Sequence, residues 1–170
     1  MSKLPPLAAL YDEHASALFG FLLNFTRQEA DARDILQEVF IKLMRSPGAM
    51  EGVRDPRAFL LRLAHNLAID QGRRRQTRER YQSESGLEST QLFAPVPDPD
   101  RHAFQVALTA ALAELPVEQR SVLHLKLWEG LTFDQIAEVL QIPLNTAASR
   151  YRYGLDKLRV QLRPLYDEIR

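Results

Sequence analysis

Apolar residues recur along the chain at helical spacing, and two long stretches set the pattern. From Glu29 to Arg45, Ala32, Ile35, Leu36, Val39, Phe40, Leu43 and Met44 fall at i, i+3, i+4, i+7, i+8, i+11 and i+12, one stripe of an amphipathic helix. Leu7 to Phe25, rich in Leu, Ala and Phe, predicts a helix before it. Ser46, Pro47, Gly48 and Gly52 predict a loop after it, closed by Asp55 and Pro56. An Asp cap followed by Pro at the first helical position is a strong start signal. The helix it opens, "RAFLLRLAHNLAID", is expected to bury Phe59, Leu60, Leu63, Ala64 and Leu67.

The pattern then lapses. "YQSESGLESTQLFAPVPDPDRHA", residues 81–103, carries Ser, Gly and alternating prolines without an apolar period, so it reads as a linker. Helical spacing resumes near Phe104, pauses at Leu115 and Pro116, and continues to Trp128, where Gly130 suits a left-handed cap. Strand alternation and internal repeats are absent. The expected fold is all-α: two small helical domains, 1–80 and 104–170, joined by a flexible linker, the second containing a helix-turn-helix.

That corner is "LTFDQIAEVLQIPLNTAASRYR". Thr132 and Gln135 have capping-box spacing, and Phe133, Ile136, Ala137 and Leu140 form an apolar face. Gln141 and Ile142 make the turn. The next helix, opening around Pro143 or Leu144, is expected to bury Leu144, Ala147, Tyr151, Leu155, Leu158 and Leu162. Asn145, Thr146, Ser149, Arg150, Arg152 and Tyr153 then face outward. Short polar groups near a helix N-terminus allow close approach to base edges, and arginines a turn later reach phosphates. Helix pairs are common in all-α proteins, so the corner alone separates DNA docking from ordinary packing poorly.

A second basic surface lies on the 56–75 helix. Arg62, His65, Asn66, Ile69 and Arg73 share a side by spacing, opposite the expected buried stripe, and Arg74 and Arg75 extend the cluster. Asn66 offers a donor and an acceptor to a base, and the arginines suit a phosphate backbone. Asp70 can instead pair with Arg73 or Arg74 along the helix, which would make them surface ion pairs worth ~0.3–0.5 kcal/mol each.

Composition narrows the classes. The chain has 170 residues, 45% of them hydrophobic, with 22 basic and 22 acidic side chains, so no basic total argues for nucleic acid and only local charge remains. Cysteine is absent, which excludes disulfides, thiolate metal sites and cysteine nucleophiles and permits a reducing cytoplasm. His14, His65, His102 and His124 lack metal-ligand spacing, and no glycine-rich phosphate loop is present, so no metal, cofactor or catalytic site is expected. No run approaches the about 20 apolar residues of a membrane span. A soluble, cytoplasmic protein is expected.

Taken together, three blocks resemble a known family. "DARDILQEVFIKL", "DPRAFLLRLAHNLAIDQGRRR" and "LPVEQRSVLHLKLWEGLTFDQIAEVLQIPLNTAASRYRYGLDKLR" are similar, in order and spacing, to the core-binding, minus-ten and minus-thirty-five segments of extracytoplasmic-function sigma factors of bacterial RNA polymerase. The resemblance implies a transcription initiation factor. It places Asp34, Gln37, Glu38 and Lys42 against the polymerase β′ clamp helices, where spacing alone shows a charged solvent face. It gives the Ser46–Asp55 loop and the start of the following helix capture of an extruded non-template base, a step that must offset a few kcal/mol of unstacking. It seats the second domain on the β flap with its last helix on promoter DNA, and it implies an anti-sigma partner. A sigma-like decoy that binds an anti-sigma factor without initiating transcription shares this pattern. An ordinary helix-turn-helix repressor lacks the polymerase-binding block. The chain departs from the family at Gln141, where Gly is usual, and at Ala148, Tyr153 and Leu155, where many members carry Lys or Arg.

Overall fold

The computed structural model describes residues 5–79 and 98–168, without the side chains of Glu79, Tyr166 and Glu168. It contains seven helices among those residues: α1 (Leu7–Thr26), α2 (Glu29–Arg45), α3 (Pro56–Glu79), α4 (Pro99–Glu114), α5 (Val117–Leu127), α6 (Phe133–Leu140) and α7 (Leu144–Glu168). No strand occurs among the described residues. The chain divides into two compact units, the first holding α1–α3 and the second α4, α5, α7 and the larger part of α6.

In the first unit the three helices pack pairwise around Leu18, Phe21, Leu22, Ile35, Val39, Leu60 and Leu61, all at most 2% exposed. The α2 stripe is buried from Ala32 to Leu43 as its spacing requires, but Met44 is 62% exposed. The helix ends at Arg45, and Met50 from the following loop is buried in the core. Helix α3 starts as expected: the Asp55 carboxylate accepts from the Ala58 N–H at 3.1 Å, and Pro56 is the first helical residue. Its buried face is rotated from the expected one. Leu60 and Ala64 are buried, Phe59, Leu63 and Leu67 only partly, and Ala58, Leu61, His65 and Ala68 complete the stripe. The apolar residues of α3 surround enough of its circumference that spacing alone does not fix the buried direction.

The second unit gathers Ala111, Leu112, Leu115, Leu123 and Leu158 into a core, with Leu108, Tyr151, Leu155 and Leu162 packed around it. Helix α4 opens at Pro99, five residues before the apolar period becomes visible at Phe104. The Asp98 carboxylate caps it by accepting from the Asp100 N–H at 3.1 Å. This is the same Asp-Pro device that opens α3, hidden in a proline-rich stretch. The helix therefore takes the end of the 81–103 segment, and residues 81–97 lie outside the described residues. Helix α5 runs to Leu127, and Gly130 has φ 64°, the left-handed value expected of it.

Candidate nucleic-acid and partner interfaces

The helix-turn-helix is built as its sequence requires. The Thr132 N–H donates to Gln135 Oε1 at 2.9 Å and the Gln135 N–H donates to Thr132 Oγ1 at 3.2 Å, a reciprocal capping box on α6. Ile136, Val139 and Leu140 bury the inner face of α6. The turn then closes as a Schellman motif: the Ile142 N–H donates to the Ala137 carbonyl at 3.0 Å and the Gln141 N–H to the Glu138 carbonyl at 3.4 Å. Gln141 sits at φ 55°, so the left-handed conformation is kept although the residue is not glycine. Phe133 meets Tyr151 edge-on, ring centroids 5.4 Å apart, and Lys126 Nζ lies 4.6 Å from the Phe133 ring centre, tying α5, α6 and α7 together.

Helix α7 leaves this corner with Ala147 fully buried against it. Leu144, expected inside, is 46% exposed, because the first turn of α7 stands clear of the core. Asn145, Arg152 and Tyr153 are exposed, and Thr146, Ser149 and Arg150 partly so, giving one polar surface over the first two and a half turns. Arg152 lies 5.3 Å over the Tyr153 ring, so the phenol shares this surface with the guanidinium. Gly154 carries no signal in the helical spacing of α7. A Cβ there would come within 2.9 Å of Leu123 Cδ1 and 3.3 Å of Gln119 Cβ, so its lack of a side chain allows α7 to cross close to α5.

In the first unit the expected surface of α3 is partly corrected. His65 is only 8% exposed. It lies edge-on to Phe25 with centroids 5.5 Å apart and 6.3 Å from Phe21, and its Nδ1 has no hydrogen-bond partner among the described residues. Burial lowers its pKa from 6.5 to about 4, so the ring is neutral and belongs to the core rather than to an outward face. Arg62 and Asn66 remain partly exposed, Arg62 stacking 5.7 Å from the Phe59 ring centre, and Arg73, Arg74 and Arg75 are exposed.

Asp34, Gln37 and Lys42 are exposed on α2 and Glu38 partly so. Three of them share a groove of 530 Å³ between α2 and α3: Asp34, Glu38 and Lys42 line one side, with Asp31, while Arg74, Arg75 and Arg78 line the other. Arg75 is ion-paired to Asp31 across it. The two surfaces inferred separately from sequence are thus neighbours. The signal was present in the spacing: 31, 34, 38 and 42 follow one side of α2, and 71, 74, 75 and 78 one side of α3. Asp70, the expected local partner of Arg73 or Arg74, lines the same groove. Among the described residues no group of His, Cys, Asp and Glu is arranged to hold a metal. No described helix is long and apolar enough to cross a membrane.

Comparison with known proteins decides the family. Residues 10–78 match the Sigma-70 region 2 model and residues 105–158 the Sigma-70 region 4 model. The ECF RNA polymerase sigma factor SigL of Mycobacterium tuberculosis is 35% identical over 161 residues, covering 94% of this chain and 90% of SigL. The chain belongs to the ECF sigma factors of RNA polymerase. SigX of Bacillus subtilis is 28% identical over 165 residues, covering 94% of this chain and 85% of its own. Among solved structures, the sigma factor RpoE in complex with the anti-sigma factor NepR from Bartonella quintana shares the fold, with a TM-score of 0.71 at 21% identity over 92% of this chain and 94% of that one. This ECF sigma factor is an alternative sigma factor, a transcription initiation factor whose partners are the RNA polymerase core and promoter DNA.

Proposed function

We propose that the two units divide the work of initiation between them. The first, residues 1–80, binds the polymerase β′ clamp helices through Asp34, Gln37, Glu38 and Lys42 on α2. It addresses the minus-ten element with Arg62 and Asn66 on α3, while Arg73, Arg74 and Arg75 follow the phosphate backbone. The second, assigned to residues 104–170, rests on the β flap and reads the minus-thirty-five element. There Asn145, Thr146 and Ser149 approach base edges, and Arg150, Arg152 and Tyr153 contact the backbone. Residues 81–103, apart from the start of α4, serve as the linker, and the protein works in the cytoplasm with the polymerase. An anti-sigma protein holds it in reserve, a reading supported by the anti-sigma factor bound to its structural relative.

The observation that carries this reading is the α6–α7 corner. Its capping box and Schellman turn fix the start of α7, and every polar residue assigned to DNA there has its side chain at least partly exposed. The test is transcription in vitro with purified core polymerase over a promoter library, with open complexes followed by permanganate reactivity. Arg150→Ala is expected to lower use of promoters broadly through weaker upstream binding and to reduce the salt slope of that binding by about 1. Asn66→Ala is expected to leave upstream protection in place and reduce melting. Unchanged open-complex formation in both variants would overturn the assignments, and a protein that binds core but starts no transcript would be a decoy.

A further inference from the structure

The ion pair between Arg75 and Asp31 joins the basic end of α3 to the first turn of α2, forty-four residues away in sequence. We propose that Asp31 is a positioning residue: in the free protein it holds the Arg75 guanidinium in the α2–α3 groove, away from nucleic acid, and yields it to a phosphate when promoter DNA arrives. The inference rests on the reading of Arg73, Arg74 and Arg75 as backbone contacts.

Three features support an exchange of this kind. Asp31 is largely sequestered, its side chain 16% exposed, whereas Arg75 is 45% exposed, so the carboxylate stays fixed while the long cationic side chain is open to solvent. Asp31 stands in the first turn of α2, where unpaired N–H groups and the helix dipole favour a negative charge. It therefore remains stabilised when Arg75 leaves. Finally, phosphate offers a guanidinium the same paired oxygen geometry as a carboxylate. Transfer to DNA then replaces one charge-assisted contact by another, and each free molecule carries one fewer cation available to nonspecific nucleic acid. The neighbouring Arg74 and Arg78 line the same groove, with Lys42, Asp34, Glu38 and Asp70 around them, so the local field is mixed.

The experiment uses the full-length protein and a labelled single-stranded oligonucleotide of mixed sequence, with affinity measured by anisotropy across a salt series. Asp31→Asn keeps the shape and removes the charge. It is expected to tighten binding about three- to fivefold at low salt, as one added charge-assisted phosphate contact would, and to steepen the slope of log K against log salt by about 0.7. Asp31→Glu, which keeps the charge, should retain the wild-type slope. In an Arg75→Ala background, Asp31→Asn should give no steepening. Circular dichroism and thermal melting establish that each variant is folded. An unchanged slope in Asp31→Asn overturns the proposal, and so does equal steepening without Arg75, which would mark a general effect of net charge. The double variant Arg73→Ala with Arg74→Ala tests the underlying reading separately. If it binds as wild type, the basic end of α3 is not a nucleic-acid surface. If it weakens while Asp31→Asn is silent, only the role of Asp31 falls.

Discussion

His65 shows how one buried ring changes the meaning of a helix face. In the unfolded chain the imidazole takes up its proton near pH 6.5, and in the folded chain only near pH 4, because protonation would place a charge between Phe21 and Phe25. Between these values the unfolded state binds more protons, so stability is complete above about pH 6.5 and declines as pH falls toward 4. The loss from this group is expected to be about 1–2 kcal/mol at pH 5, read as the difference in urea midpoint between pH 7 and pH 5. His65→Phe should remove that part of the decline; parallel loss in both proteins would show that His65 does not carry it. Gln141 is a second residue at which backbone geometry outweighs side-chain chemistry. Held at φ 55° on an exposed turn, it pays the Cβ penalty that glycine avoids. Gln141→Gly is expected to stabilise the protein by about 1 kcal/mol, measured by thermal melting, and no gain would mean that the lost chain entropy cancels the relief.

At the scale of elements, what the sequence made legible was whatever is encoded locally. The Asp55–Pro56 start, the Thr132–Gln135 box, the left-handed Gly130 and the α2 stripe from Ala32 to Leu43 all appear where spacing and capping chemistry put them. What stayed hidden depends on neighbours distant in the chain. The direction in which α3 is buried is decided by α1, which presents Phe21 and Phe25 to His65, and the α2–α3 groove exists only once both helices are packed. The opening of α4 differs in kind, since its Asp98–Pro99 signal is local but stands among neighbouring prolines that obscure it. Gly154 belongs with the long-range group. Spacing gives no reason for glycine inside α7, and only the approach of α5 explains it. Gly154→Val would drive a branched side chain into Leu123 and Gln119. It is expected to destabilise the protein by about 1–3 kcal/mol, seen as a lower urea midpoint at unchanged m-value. A neutral result would mean that α7 can move away from α5 at little cost.

For the whole molecule the charge balance is the physical constraint. The chain carries 22 basic and 22 acidic residues, so there is no net field to draw in DNA, and specific contact must come from local surfaces. On α7 and its surroundings, Arg150 to Arg163 contains five basic residues against Asp156, and Arg159 is itself 3.6 Å from that carboxylate. On α3, Arg75 is engaged by Asp31. Each surface therefore has few cations to neutralise phosphates, and few counterions would be released on binding. On the proposed assignment, two such weak contacts would become effective when RNA polymerase presents both to one promoter, because the second would then bind at high effective concentration rather than from free solution. The expected outcome in a mobility-shift titration at physiological salt is binding of the free protein to promoter duplex no tighter than the range of about 10⁻⁴–10⁻⁶ M found for nonspecific association. Core polymerase added to the same titration should yield a stable, promoter-specific complex. Tight, steeply salt-dependent promoter binding without polymerase would show that the local surfaces are stronger than their charge suggests. Failure of purified core to retain the protein would remove the scaffold on which the account depends.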